Sequence, residues 1–179
     1  MECILTKRLL LAQGTHVGAD RTIDCAAVNP HPLLRVALDT YELQLGGAWP
    51  AGAFEPEYEA RVSVYQGIRD TRGHLYTGRR LFMTEYHQWF GVTRIYTPAQ
   101  GLEFVTGADA IIFRVELKDL HYNGNDPDIR AAALRMRVRP NQPMSRERFE
   151  ALCAPMDLVY LSPFVEGDAS ASKFIGPGY

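Results

Sequence analysis

Glu85 and His87 stand two residues apart in an aromatic-rich stretch that also holds Tyr76, Phe82, Tyr86, Trp89, Phe90 and Tyr96. In an extended segment that spacing puts both on one face. A carboxylate beside an imidazole can orient a general base, or the two can supply part of a metal's ligand set, with His74 in the preceding turn as the nearest third group. The stretch contains no His-x-His pair and no His-Glu-x-x-His helix. A hydrogen-bonded pair at a strand end therefore competes with both readings. No metal or other cofactor is assigned, and His74, Glu85 and His87 stay as weak metal candidates.

The second chemistry-bearing group is basic. Between Ile129 and Arg148 six arginines, Arg130, Arg135, Arg137, Arg139, Arg146 and Arg148, face the single acid Glu147. Arg135, Arg137 and Arg139 alternate with Leu134, Met136 and Val138, so they share one strand face at a repeat of roughly 6.8 Å. A row of guanidinium forks at that interval suits carboxylates or phosphates on a partner. No aromatic side chains interleave with them, so a single-stranded nucleic acid is possible but not favoured over an acidic protein surface.

Other searches return little. There is no Gly-x-Ser-x-Gly elbow, no Gly-x-Gly-x-x-Gly turn and no Gly-x-x-x-x-Gly-Lys-Ser/Thr loop, which argues against α/β-hydrolase, Rossmann and P-loop chemistry. The loop from Asn123 to Asp128, with Asp119 upstream, is dense in oxygen ligands, but it lacks EF-hand spacing and reads as a wide hairpin turn. Cys3, Cys25 and Cys153 are widely spaced with no C-x-x-C pair, so buried free thiols in a reducing compartment such as the cytoplasm are expected.

Two apolar segments have no periodicity. Gly46 to Pro56 carries Trp49 and Phe54 among Gly, Ala and Pro, and Pro163 to Tyr179 ends with Phe174, Ile175 and Tyr179. Such segments either pack along their own domain or reach a neighbouring subunit.

The elements that must position these residues are mostly β. Alternation of period two, punctuated by Gly, Pro, Asn and Asp, gives nine candidate strands: Cys3 to Ala12, Arg21 to Val28, Leu34 to Leu45, Tyr58 to Tyr65, Leu75 to Thr84, Gln88 to Tyr96, Ala110 to Tyr122, Ala131 to Arg139 and Leu158 to Ser162. The pattern predicts an antiparallel β-sandwich or jelly-roll-like fold over residues 1–162, followed by a C-terminal arm over 163–179. Ile111, Phe113, Val115 and Leu117 are expected inward, with Ile112, Arg114 and Glu116 outward. A hairpin joining this strand to Ala131 to Arg139 would set Glu116 opposite Arg135 and Arg114 opposite Arg137, with both apolar faces in agreement. One helix is expected near residues 145–154: Ser145 as N-cap, Met144 stapled to Phe149, an apolar stripe of Phe149, Leu152 and Cys153, and Pro155 as the stop.

Bulk composition fits this. The 179 residues are 46% hydrophobic and 22% charged with a formal net charge of -2, so the chain is an ordinary globular domain without a global field for nucleic acid or an anionic membrane. No run approaches the roughly 20 apolar residues of a membrane span, and a soluble protein is expected. The leading functional expectation is a non-enzymatic interaction or assembly subunit. It would contact a protein partner or further copies of itself through Trp49, Phe54, the Arg135/Arg137/Arg139 face, Phe174, Ile175 and Tyr179. The alternatives are a small-ligand or metal-dependent β-barrel enzyme with Tyr76, Glu85, His87 and Trp89 at its mouth, and an anion or nucleic-acid-binding module.

Overall fold

The structure is a computed structural model and describes residues 1–10, 20–46, 57–90, 93–98, 103–104, 109–119 and 128–161. The described residues form eleven strands and one helix: β1 (Cys3–Leu10), β2 (Asp20–Val28), β3 (Leu34–Gly46), β4 (Glu57–Arg69), β5 (Leu75–Met83), β6 (His87–Phe90), β7 (Thr93–Tyr96), β8 (Glu103–Phe104), β9 (Ala110–Asp119), β10 (Asp128–Pro140), α1 (Arg146–Cys153) and β11 (Asp157–Tyr160). The expectation of a mostly β chain with one short helix holds.

The strands form two antiparallel sheets. The first has the order β1-β10-β3-β7, with β8 also on β3, and the second the order β11-β2-β9-β4-β5, with β6 also on β4. The pairing is nested: β1 meets β10, β2 meets β9, β3 meets β7 and β8, and β4 meets β5 and β6. A long antiparallel hairpin rolled so that successive pairs fall in alternate sheets is a jelly roll. Here β11 extends the second sheet beyond β2.

Nesting corrects the expected hairpin. β9 pairs with β2 and β4, while β10 pairs with β1 and β3 in the other sheet. Alternation decides which face of a strand is buried, and any two strands of matching alternation satisfy it. Ile111, Phe113 and Val115 do point into the core, as do Leu134, Met136 and Val138. The expected strand from Gln88 to Tyr96 also divides, because β6 pairs in the second sheet and β7 in the first. The two-residue β8 carries no period that sequence reading could detect.

One core lies between the sheets. Val36, Leu38, Tyr41, Leu134 and Met136 enter it from the first sheet, and Ile23, Val62, Ile111, Phe113 and Tyr160 from the second. α1 carries the chain from β10 to β11 and sends Phe149 and Cys153 into the same core, with Met144 and Leu152 partly buried against it. Ser145 caps the helix, its Oγ accepting the Arg148 N–H at 3.3 Å, an interaction worth about 1 kcal/mol. A smaller apolar cluster, Ala26, Val28, Ala110, Ile112 and Val159, covers part of the outer face of the second sheet, with Tyr65, Leu75 and Leu161 packed on it. Among the described residues no helix is long and apolar enough to cross a membrane.

Candidate interaction surfaces

Arg135, Arg137 and Arg139 lie on the outer face of the first sheet, as their alternation requires. The register slips between Arg135/Thr40 and Met136/Leu38, which leaves Asp39 as the extra residue of a β-bulge. Its carboxylate takes Arg135 Nε at 2.9 Å and lies 3.8 Å from Arg137 Nη2. Arg139 reaches Glu2 at 2.9 Å and Glu103 at 3.5 Å, and Glu103 also lies 3.8 Å from Arg35. The expected partner of Arg135, Glu116, is in the other sheet. The row is thus a charge-paired network whose members are partly exposed, and each such pair contributes about 1 kcal/mol or less. Arg137 sits between Ile4 and Ala37, and its Nε is buried with no hydrogen-bond partner among the described residues.

The outer face of the second sheet holds the stronger ion pairs. Arg114 and Asp24 are opposite each other on β9 and β2 and pair through two hydrogen bonds, at 2.8 and 2.9 Å. Those bonds, opposed by burial, hold the Arg114 guanidinium charged well beyond its ordinary range. Arg61 of β4 makes the same two-pronged contact to Glu116. Each guanidinium also covers a ring, Arg61 over Tyr86 at 4.6 Å and Arg114 over Tyr65 at 5.2 Å. Sequence reading missed Asp24 and Arg61. The available signal was their place on the polar side of alternating strands, next to Ile23 and Cys25 and next to Ala60 and Val62.

His74 and His87 do not converge. In the turn between β4 and β5, Asp70 Oδ1 accepts the N–H groups of Arg72 and His74, both at 2.8 Å, and Oδ2 lies 3.2 Å from His74 Nδ1. Partial burial alone would raise the Asp70 carboxyl, but these donors outweigh it and lower it. His87 pairs with Ala60 and Leu75 with Arg69, nine positions apart on β4, which is roughly 30 Å of strand. His74 and Tyr76 are therefore at the far end of the hairpin from Glu85 and His87. Glu85 lies in the connection before β6, outside the strand. Among the described residues no three His, Cys, Asp or Glu side chains are grouped to hold a metal.

Five large apolar side chains are exposed among the described residues: Met1, Ile4, Ile68, Tyr76 and Ile95. All are at sheet margins. Met1 and Ile4 belong to the edge at β1, and Ile95 is on β7, the other edge of the first sheet. Ile68 and Tyr76 are cross-strand partners in the β4–β5 hairpin, just beyond Gly67, where the pairing of β4 with β9 ends. At the β1 edge a cleft of about 560 Å³ opens between Met1–Leu5 and α1, with Phe149, Cys153 and Met156 among its lining and Glu2, Arg146 and Glu150 contributing charge.

Trp49, Phe54, Phe174, Ile175, Tyr179 and the loop from Asn123 to Asp126 lie outside the described residues, as does the side chain of Trp89. Compared with known proteins, the chain matches no protein-family model and no curated protein.

Proposed function

We propose that this chain is an assembly subunit whose jelly roll associates with further copies of itself through its sheet margins. The observation that carries this reading is the confinement of Met1, Ile4, Ile68, Tyr76 and Ile95 to those margins, with Ile68, Tyr76 and Ile95 each more than half exposed. An edge strand offers backbone N–H and C=O groups to a partner strand, and exposed apolar side chains beside it add buried area once a partner docks. Jelly rolls also serve as lectin domains and cupin enzymes, so the reading rests on this placement and not on the fold alone.

By residue type alone, Trp49, Phe54, Phe174, Ile175 and Tyr179, which lie outside the described residues, would add apolar contacts to such an association. The Arg135/Arg137/Arg139 row supplies directional contacts, exchanging Asp39, Glu2 and Glu103 for carboxylates of a neighbouring subunit. Light scattering over a range of concentrations tests the proposal. The full chain is expected to scatter as a multiple of 20.1 kDa, and Ile68→Glu together with Ile95→Glu is expected to shift it toward the monomer. A chain ending at Pro163 is expected to associate more weakly. A 20.1 kDa species at every concentration would overturn self-assembly.

A further inference from the structure

Cys3 and Cys153 are separated by almost the whole chain, yet they line the same cleft. Cys3 is the first residue of β1 and lies half-buried against the core, while Cys153 ends α1 and is 9% exposed. Cys3 is one of the neighbours that raise the Cys153 thiol above its ordinary value. Both belong to elements with room to adjust: β1 is an edge strand held on one side by β10, and Cys153 occupies the last turn of a two-turn helix. Closing the sulfurs to bonding distance would draw on movement at the margin of the sheet and the end of the helix. Cys25 differs, being fully buried on β2 and absent from the lining of this cleft.

We propose that Cys3 and Cys153 form a reversible disulfide that pins β1 to α1 when the chain meets a small-molecule disulfide such as oxidised glutathione. Cys3 is the entry thiol because it is the more exposed of the two. Its sulfur attacks one sulfur of glutathione disulfide, that S–S bond breaks, and the departing glutathione takes up the proton lost by Cys3. Cys153 then gives its proton to solvent and attacks the Cys3 sulfur, forming the Cys3–Cys153 bond and expelling the second glutathione as a thiol. Two protein thiols are oxidised and one glutathione disulfide is reduced to two thiols. Burial, with Cys3 and Glu150 nearby, pushes the Cys153 thiol up to about 11. This holds back the second step near neutral pH, and the step speeds up as the solution is made alkaline.

The test is peptide mapping of the folded full chain after equilibration in glutathione buffers of increasing oxidised fraction, followed by acid quench and alkylation in denaturant. The expected result is loss of two hydrogens from the intact mass, a linked peptide pair containing Cys3 and Cys153, full alkylation of Cys25, and reversal by dithiothreitol. Cys25→Ser is expected to leave the link intact, and Cys153→Ser to stop at a Cys3–glutathione adduct. Three alkylatable thiols under oxidising buffer, a stable glutathione adduct on Cys3 of the unmodified sequence, or a link through Cys25 would each overturn the proposal.

Discussion

Arg114 lies directly across from Asp24, with its Nε 2.8 Å from Oδ1 and its Nη2 2.9 Å from Oδ2, on a face where the two side chains are only 27% and 16% exposed. Replacing Arg114 with Met leaves a largely covered carboxylate without its counter-charge. The expected cost is about 2–3 kcal/mol, read from urea unfolding. Asp24→Asn in the same chain should return much of the loss, since a neutral amide tolerates that position better. A single variant indistinguishable from the parent would show that the pair contributes nothing net.

Tyr41 is fully buried, and its hydroxyl has no hydrogen-bond partner among the described residues, whereas the Tyr160 hydroxyl donates to the Ala132 carbonyl at 3.0 Å. Removing an unsatisfied buried hydroxyl relieves its desolvation penalty. Tyr41→Phe is expected to stabilise the fold by about 1 kcal/mol and Tyr160→Phe to destabilise it by a similar amount. Equal effects from the two substitutions would contradict this difference.

Alkaline pH should destabilise the protein in stages. Burial raises the pKa values of Cys25, Tyr41, Tyr160 and Cys153 above their ordinary values. For an acid whose folded value is raised, stability is fully present below the unfolded value and declines above it, because only the unfolded chain releases the proton. The decline begins near pH 8.5 for the cysteines and near pH 10 for the tyrosines, at about 1.4 kcal/mol per pH unit for each group. Thermal melts at a series of pH values between about 7 and 11 check it. Cys25→Ala should flatten the first stage and Tyr41→Phe the second, and a midpoint that stays level throughout would exclude the effect.

Gly67 faces Ala110 across β4 and β9, and a Cβ at Gly67 would lie 2.7 Å from the Ala110 Cβ and 3.2 Å from the Ala110 carbonyl oxygen. Neither neighbour can swing aside. Gly67→Ala is expected to cost about 1–3 kcal/mol, and Ala110→Gly in the same chain should recover part of it by removing the closer contact. The midpoint of denaturant unfolding measures both.

Strand faces were readable from the sequence because alternation is a local property. Leu134, Met136 and Val138 are buried and Arg135, Arg137 and Arg139 lie on the opposite face, as their spacing required. The capped helix was readable for the same reason, since Ser145, Phe149 and Pro155 act within a few residues of one another. Pairing was not readable: Glu116 suits Arg61 as well as Arg135, and period two contains nothing that chooses between them. Nor could alternation reveal the bulge at Asp39, which exists only as a mismatch between two strands far apart in the chain. Ile112 was expected on the polar face and does point outward, but it is covered there, because Ala110 of the same strand joins Ala26 and Val28 of β2 and Val159 of β11 in a second apolar layer.

The nested pairing of the strands also dictates when they can fold. Cys3 pairs with Val138 and Asp20 with Lys118, so β1 and β2 leave the ribosome long before their partners exist. The innermost pair, β4 with β5, closed by the Asp70 turn, can zip first, and the outer pairs follow in reverse order of synthesis. Such distant contacts place folding in the slow, millisecond-to-second regime. Until β9 and β10 arrive, the early strands present unpaired edges to every other nascent chain, a period in which chaperone protection governs yield.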